Sequence, residues 1–165
     1  MGTSEDLAIR SSEIRWPTGF SPNDADIFAH NEIFIQAPAS RAWRHLVEAT
    51  KWPLWYPNSQ NVRIANDRDG LLRQDTAFEF DTFGAHVDAK IAEFVAESRL
   101  AWFGNAPGLA AYHPWLLIPM PGGCQVITEE VAKGPLALEI VKRDPDGMHK
   151  GHDLWLTRLK SLSEK

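Results

Sequence analysis

The stretch Ile33–Asn58, reading IFIQAPASRAWRHLVEATKWPLWYPN, constrains this chain most, because the hydrophobic period changes inside it. Ile33 and Ile35 are apolar and Glu32 and Gln36 flank them, the alternation of a half-buried strand. Pro38 ends the strand and suits the first turn of a helix, where its missing N–H leaves no bond unmade. From Ser40 the spacing is helical. Trp43, Leu46, Val47 and Thr50 fall at i, i+3, i+4 and i+7, with Arg41, Arg44, His45 and Glu48 mostly on the other side. Thr50 is expected to cap a second, very short helix holding Pro53 in its first turn, and Pro57-Asn58 closes it.

Downstream the pattern alternates more than it coils. Gln60 to Asn66 reads as a short strand and Asp67 to Gly70 as a turn. Thr76 to Phe83 puts Phe78 and Phe80 on one face, opposite Glu79 and Asp81, and Gly84 permits a tight hairpin. Ala85 to Phe94 then places Val87, Ala89 and Ile91 inside and His86, Asp88 and Lys90 in water. Leu100 and Trp102 are the inward set of Arg99 to Gly104. Ala110 to Ile118 is the next strand, Pro121 to Gly123 a turn, Gln125 to Val131 the last strand, and Gly134-Pro135 its end. Pro135 to Arg143 is ambiguous: Leu136, Leu138 and Ile140 alternate like a strand, while the composition suits a helix. Asp144 is expected to cap a helix with Pro145 at its first position, along which Met148, His152, Trp155, Leu159 and Leu162 form one apolar-leaning stripe. Gly147 and Gly151 weaken that helix by about 1 kcal/mol each relative to Ala, unless they admit a close approach of the sheet.

With 165 residues the chain suffices for one domain with a real core. A net charge of −5 and the absence of a Lys/Arg cluster argue against nucleic-acid binding. Cys124 is the single cysteine, so no intrachain disulfide framework exists, and a reducing cytoplasmic location is expected. With Glu5, Asp6 and Glu13 and no apolar run at the N-terminus no signal peptide is expected, and Trp115 to Met120 is too short to cross a bilayer. Residues 1 to about 13 are polar and expected to fray. Ile14, Trp16, Pro17 and Phe20 should form an arm lying over the body, giving an arm at 1–27 and a domain at 28–165. The outlier in composition is Trp, seven in all, so several must share a core or line a pocket.

The helix start Ala-Pro-Ala-Ser-x-x-Trp43, followed by Lys51-Trp-Pro-x-Trp-Tyr-Pro-Asn58, resembles the SRPBCC superfamily of START domains, polyketide cyclases and pollen-allergen proteins. Arg99-Leu-Ala-Trp102-Phe-Gly104, Gly123-Cys-Gln-Val-Ile-Thr128-Glu-Glu130 with Gly134, and Trp155-Leu-x-x-Leu-Lys160 extend the likeness from Ile33 to Lys165. The resemblance implies an α+β helix-grip fold: a curved antiparallel sheet of about six or seven strands around a long C-terminal helix, with two short helices after the first strand. It also implies a ligand cavity between sheet and helix. It does not fix an activity, since members bind, carry, cyclise or assist assembly.

The candidate chemistry centres on His113 and Glu130. If Val126 points inward, period 2 turns Thr128 and Glu130 inward and Glu129 to solvent, while His113, Trp115 and Leu117 share one face of the neighbouring strand. The pair then stands beside Trp102 in an apolar cavity, as acid and base for a cyclisation or dehydration, as an anchor for a ligand, or as a structural polar pair. Trp55, Tyr56, Phe78, Phe80, Val87, Trp102, Trp115 and Trp155 complete the expected ligand-binding set, with Trp55 and Tyr56 at an entrance and Trp43 and Trp52 in plain core. His149 and His152 stand three apart on a helix, a spacing compatible with a metal, but with no evident carboxylate or Cys partner, so no metal and no cofactor is expected. Binding of a small hydrophobic or amphipathic molecule is the leading reading. The alternatives are a cyclase/dehydratase-type enzyme and a protein-interaction module with an exposed apolar patch. An unpaired edge strand would permit a homodimer.

Overall fold

The computed structural model describes residues 3–165, so Met1 and Gly2 of the expected arm lie outside the described residues. Among the described residues, seven strands form one antiparallel sheet: β1 (Ile27–Ile35), β2 (Gln60–Ile64), β3 (Ala77–Thr82), β4 (Ala85–Val95), β5 (Arg99–Ala106), β6 (Leu109–Met120) and β7 (Gly123–Lys133). Their order is β1-β7-β6-β5-β4-β3-β2, so every sequential pair from β2 to β7 is a hairpin neighbour and β1 returns to close beside β7. Helices α1 (Thr3–Ile9), α2 (Ala39–Val47), α3 (Pro135–Arg143) and α4 (Gly147–Ser163) complete the chain, with short 3-10 turns at Pro22–Asp24 and Ala49–Leu54. The sheet wraps around α4 in the helix-grip arrangement. Register slips on β4 between Ile91 and Glu93, and on β2 between Gln60 and Arg63, supply bulges that bend the sheet.

The concave face explains the aromatic excess. Phe78, Phe80, Val87, Ile91, Leu100, Trp102, Trp115 and Leu117 on the strands meet Trp155, Leu156 and Leu159 of α4, with Trp43, Leu46 and Trp52 closing one end. Trp155 lies at the centre, stacked on Tyr56 at 4.3 Å and edge-on to Trp52 and Trp115 at 5.2 and 5.1 Å. Such ring pairs add about 0.5–1.5 kcal/mol beyond their buried area. Trp52 also donates from Nε1 to the Leu46 carbonyl at 3.0 Å, fixing the 3-10 turn under α2.

Several local expectations are corrected. Thr50 is exposed and lies inside the 3-10 turn, whose cap position is Glu48. α4 starts at Gly147 with Asp146 as its cap residue, so Asp144-Pro145 is a turn before the helix. Pro135–Arg143 is helical, because Pro135 takes the first helical position and Gly134, at φ +112°, reverses the chain after β7.

The largest correction is at the N-terminus. Residues 3–9 are not frayed but form α1 against β1, and Asp6 is fully buried beside His149. The residues that follow lie on the convex face: Ile14 packs with Leu116 and Ile127, and Trp16 meets Phe28 and Tyr112 edge-on. That cover buries Glu129, which strand alternation alone would leave in water. Its Oε2 accepts from the Ser11 N–H at 2.7 Å and lies 2.5 Å from Nδ1 of His30.

Candidate ligand cavity and its polar cluster

Strand pairing builds the site. The register that sets Tyr112 opposite Val131 and Trp115 opposite Thr128 places His113 beside Glu130, and Trp102 is the partner of His113 on the other side. Period 2 turns all three to the concave face. α4 then lays His152 over them, its ring stacked on His113 at 4.6 Å. His152 Nε2 is 2.9 Å from Glu130 Oε1, and His113 Nδ1 is 3.4 Å from the same oxygen.

A chain of hydrogen bonds fixes the tautomer of His113. The Thr128 hydroxyl donates to the Pro114 carbonyl at 3.1 Å, so toward His113 it acts as acceptor. His113 Nε2, 2.8 Å away, is therefore the protonated nitrogen, and Nδ1 turns a lone pair toward Glu130 in the neutral ring. Burial, and secondarily the neighbouring His152, hold His113 well below the ordinary histidine pKa. His152 is fully buried, and its Nδ1 has no hydrogen-bond partner among the described residues.

Beside this cluster is a narrow, largely enclosed cavity between the sheet and the start of α4. Phe80, Val87, Trp102, Gly104, Ala111 and Trp155 line it together with the buried Ile27 and Met148, His113 and Glu130 are its charged or titratable lining, and the half-buried Phe83, Leu109 and Ile140 mark where it nears the surface. The space open to the centre of a water-sized sphere is about 40 Å³, room for a few water molecules, each needing about 10–15 Å³. Gly104 helps to keep it open, because a Cβ there would meet Val87 at 3.0 Å. Phe83 partly closes the mouth. It sits in the left-handed region at φ +48°, at the tip of the β3–β4 hairpin, edge-on to His152. Gly151 makes room for its ring: a Cβ on that residue would stand 2.7 Å from Phe83 Cζ.

The model of the family described as polyketide cyclase / dehydrase and lipid transport matches residues 29–162. The chain belongs to that family. Among solved structures, this cyclase/dehydrase-family chain is similar to hypothetical protein jhp0584 from Helicobacter pylori, with 32% identity and a TM-score of 0.85 over 93% of this chain and 98% of that one. It is similar in fold to StfQ, a di-domain ARO/CYC protein from the steffimycin biosynthetic pathway, with 17% identity and a TM-score of 0.62 over 83% of this chain and 50% of that one. Ara h 8.0201 is likewise similar in fold, with 14% identity and a TM-score of 0.60 over 81% of this chain and 94% of that one. The fold is thus of the SRPBCC type. No curated protein matches the sequence.

Of the side chains singled out in the sequence of this family member, Phe80, Val87, Trp102, His113, Glu130 and Trp155 converge on the cavity. Four do not. Phe78 and Trp115 are buried in the aromatic core, and Tyr56 is fully buried against Trp155, its hydroxyl accepting from Asn58 Nδ2 at 3.0 Å, so it guards no entrance. Burial raises the Tyr56 pKa. Trp55 lies in a surface depression with Arg44, His45 and Lys51, away from the cavity, because the 3-10 turn ends there and rotates it outward. Sequence reasoning missed His152 as a member of the cluster and Phe83 at its mouth. His152 was visible as a polar interruption of an apolar helix stripe; Phe83, beside the hairpin glycine, carried no signal. His149 points elsewhere, to Asp6 and Asp153.

Proposed function

We propose that this protein binds a small hydrophobic or amphipathic molecule between the sheet and α4, with a hydroxyl or carbonyl of the ligand set against His113 and Glu130. The observation that carries the reading is an apolar enclosed cavity with its titratable groups gathered at a single place on its wall. An apolar body would displace water from Phe80, Val87 and Trp102, while the cluster orients the polar end. The cavity as it stands is too small for a multi-ring compound, so such a ligand enters by movement of Phe83 and the β3–β4 hairpin. The family description, which joins cyclase, dehydrase and lipid transport, supports a ligand of this class.

Native mass spectrometry of the protein purified from cells, followed by denaturing extraction, tests the proposal. A near-stoichiometric apolar molecule, lost on Trp102→Ala, is the expected result. A clean protein mass, together with no thermal shift against polyketide-like, lipid and isoprenoid panels, would overturn it.

A catalytic reading has its own support in the facing of His113 Nδ1 and Glu130 Oε1. In that version Glu130 removes a proton next to a carbonyl, and the cluster delivers it to the departing hydroxyl in a dehydration or to the oxygen of the attacked carbonyl in an aldol-type cyclisation. Glu130→Gln keeps the shape and removes the base. Turnover of the extracted ligand should then fall by about 100-fold or more; an unchanged rate would leave binding as the function.

A further inference from the structure

The polar cluster has a geometry that hydrogen bonding alone explains poorly. In the neutral ring, His113 Nδ1 offers a lone pair to Glu130 Oε1, itself an acceptor when ionised, at 3.4 Å. His152 Nε2 closes on the same oxygen at 2.9 Å. Ligand atoms each about 2.1 Å from a zinc ion stand about 3.0–3.4 Å apart for angles between octahedral and tetrahedral; the two nitrogen–oxygen separations here are 3.4 and 2.9 Å, and all three atoms lie within 4.8 Å of one another. His113 also has the outer bond typical of a metal-bound imidazole, from Nε2–H to Thr128, which is anchored in turn on the Pro114 carbonyl.

We propose that His113 Nδ1, Glu130 Oε1 and His152 Nε2 form a binding site for one divalent transition-metal ion of the zinc type. Two imidazoles and one carboxylate suit zinc and its neighbours rather than magnesium or calcium, which prefer all-oxygen sets. The cavity beside His113 and Glu130 leaves a coordination position for water or for an oxygen of a bound ligand, the pattern of an open rather than a closed zinc site. One carboxylate against a doubly charged ion leaves net positive charge, so an anionic head, such as a carboxylate or enolate, is the preferred occupant. Metal binding stands independently of catalysis. It also differs from the half-buried Glu79 and exposed His86 and Asp88 on the convex face, where strand neighbours gather acidic groups at the surface.

The test is a titration of chelator-treated full-length protein with Zn²⁺, using Co²⁺ absorption to report ligand number and isothermal calorimetry to report affinity. One equivalent is expected, with binding lost in Glu130→Gln and His152→Asn, retained in His86→Asn, and about 10–100-fold weaker in Thr128→Val, which leaves all three ligands but removes the orienting acceptor. Histidine-ring nitrogen NMR of the unaltered protein covers the case in which a variant misfolds. Zn²⁺ should shift His113 Nδ1 and His152 Nε2 and leave His86 unmoved. No saturable binding, binding lost in His86→Asn, or ring shifts confined to His86 would each overturn the site.

Discussion

The side chain of His113 shows how one hydroxyl sets the chemistry of a cavity. Thr128 can donate only once, and it donates to Pro114, so the ring nitrogen facing Glu130 is the basic one. Burial keeps that ring neutral. The consequence for stability has a definite sign: below the ordinary histidine pKa the unfolded chain takes up a proton that folded His113 refuses, so stability falls as pH drops through about 6.5. Ring NMR should show His113 neutral at pH 5.5, where an exposed histidine is mostly charged; a normal titration would contradict the burial described here. His30, on the other face, behaves oppositely. Burial disfavours its charge, yet bonds to Glu129 and Glu32 outweigh that and raise its pKa. Its stabilising effect is complete below the ordinary value and fades as pH rises through the raised one. Urea titrations should therefore show that His30→Gln destabilises most at pH 5.5–6 and less with each step toward pH 8, reaching about 3 kcal/mol at the acid end because a buried partner charge is stranded.

At the scale of elements, α4 does two tasks in its first turns. It brings His152 to the strands, and at Gly151 it leaves space for Phe83 of the β3–β4 hairpin. Gly151→Ala should gain about 1 kcal/mol of helix propensity. Its added methyl must displace the Phe83 ring, the movable end of a side chain, so net stability should change little while the cavity mouth opens. Thermal unfolding and the uptake rate of an apolar fluorophore would separate the two effects. The residues after α1 do for the convex face what α4 does for the concave one. They turn a two-layer grip into a structure in which β7 is covered on both sides, which is why Val131, Glu129 and Ile127 are as buried as Val126 and Thr128.

For the whole molecule, the cavity mouth matters most, since the half-buried lining residues there are Phe83 of the β3–β4 turn, Leu109 of β6 and Ile140 of α3. These positions are far apart in sequence, and α3 is lightly buried, with Ala137 its one buried residue. Elements with few buried contacts open at low free-energy cost. Phe83→Ala should therefore raise the association and dissociation rates of an apolar dye together, by several-fold, without weakening the aromatic core. Stopped-flow fluorescence measures both; a change confined to dissociation would place the barrier elsewhere.

The sequence alone determined the strand–helix–turn unit at Ile33–Asn58 and the inward faces of β3, β4 and β5; it brought His113 and Glu130 to one face only on the condition that Val126 points inward. Period-2 alternation and motif order are local properties, and the hairpin connections that follow carry local register into neighbouring strands. The tertiary structure decided what covers each surface. Alternation sent Glu129 to solvent correctly as a direction, but the arm from more than a hundred residues earlier lies there and buries it. Tyr56 and Trp55 are adjacent in sequence and share a composition, yet the end of a 3-10 turn sends one to the core and the other to the surface. His152 looked like a helix residue without partners because its carboxylate, Glu130, stands on β7 and meets it only when the sheet curls around α4. A side chain's period gives its direction; what waits in that direction is set by long-range packing, whose partners no local spacing encodes.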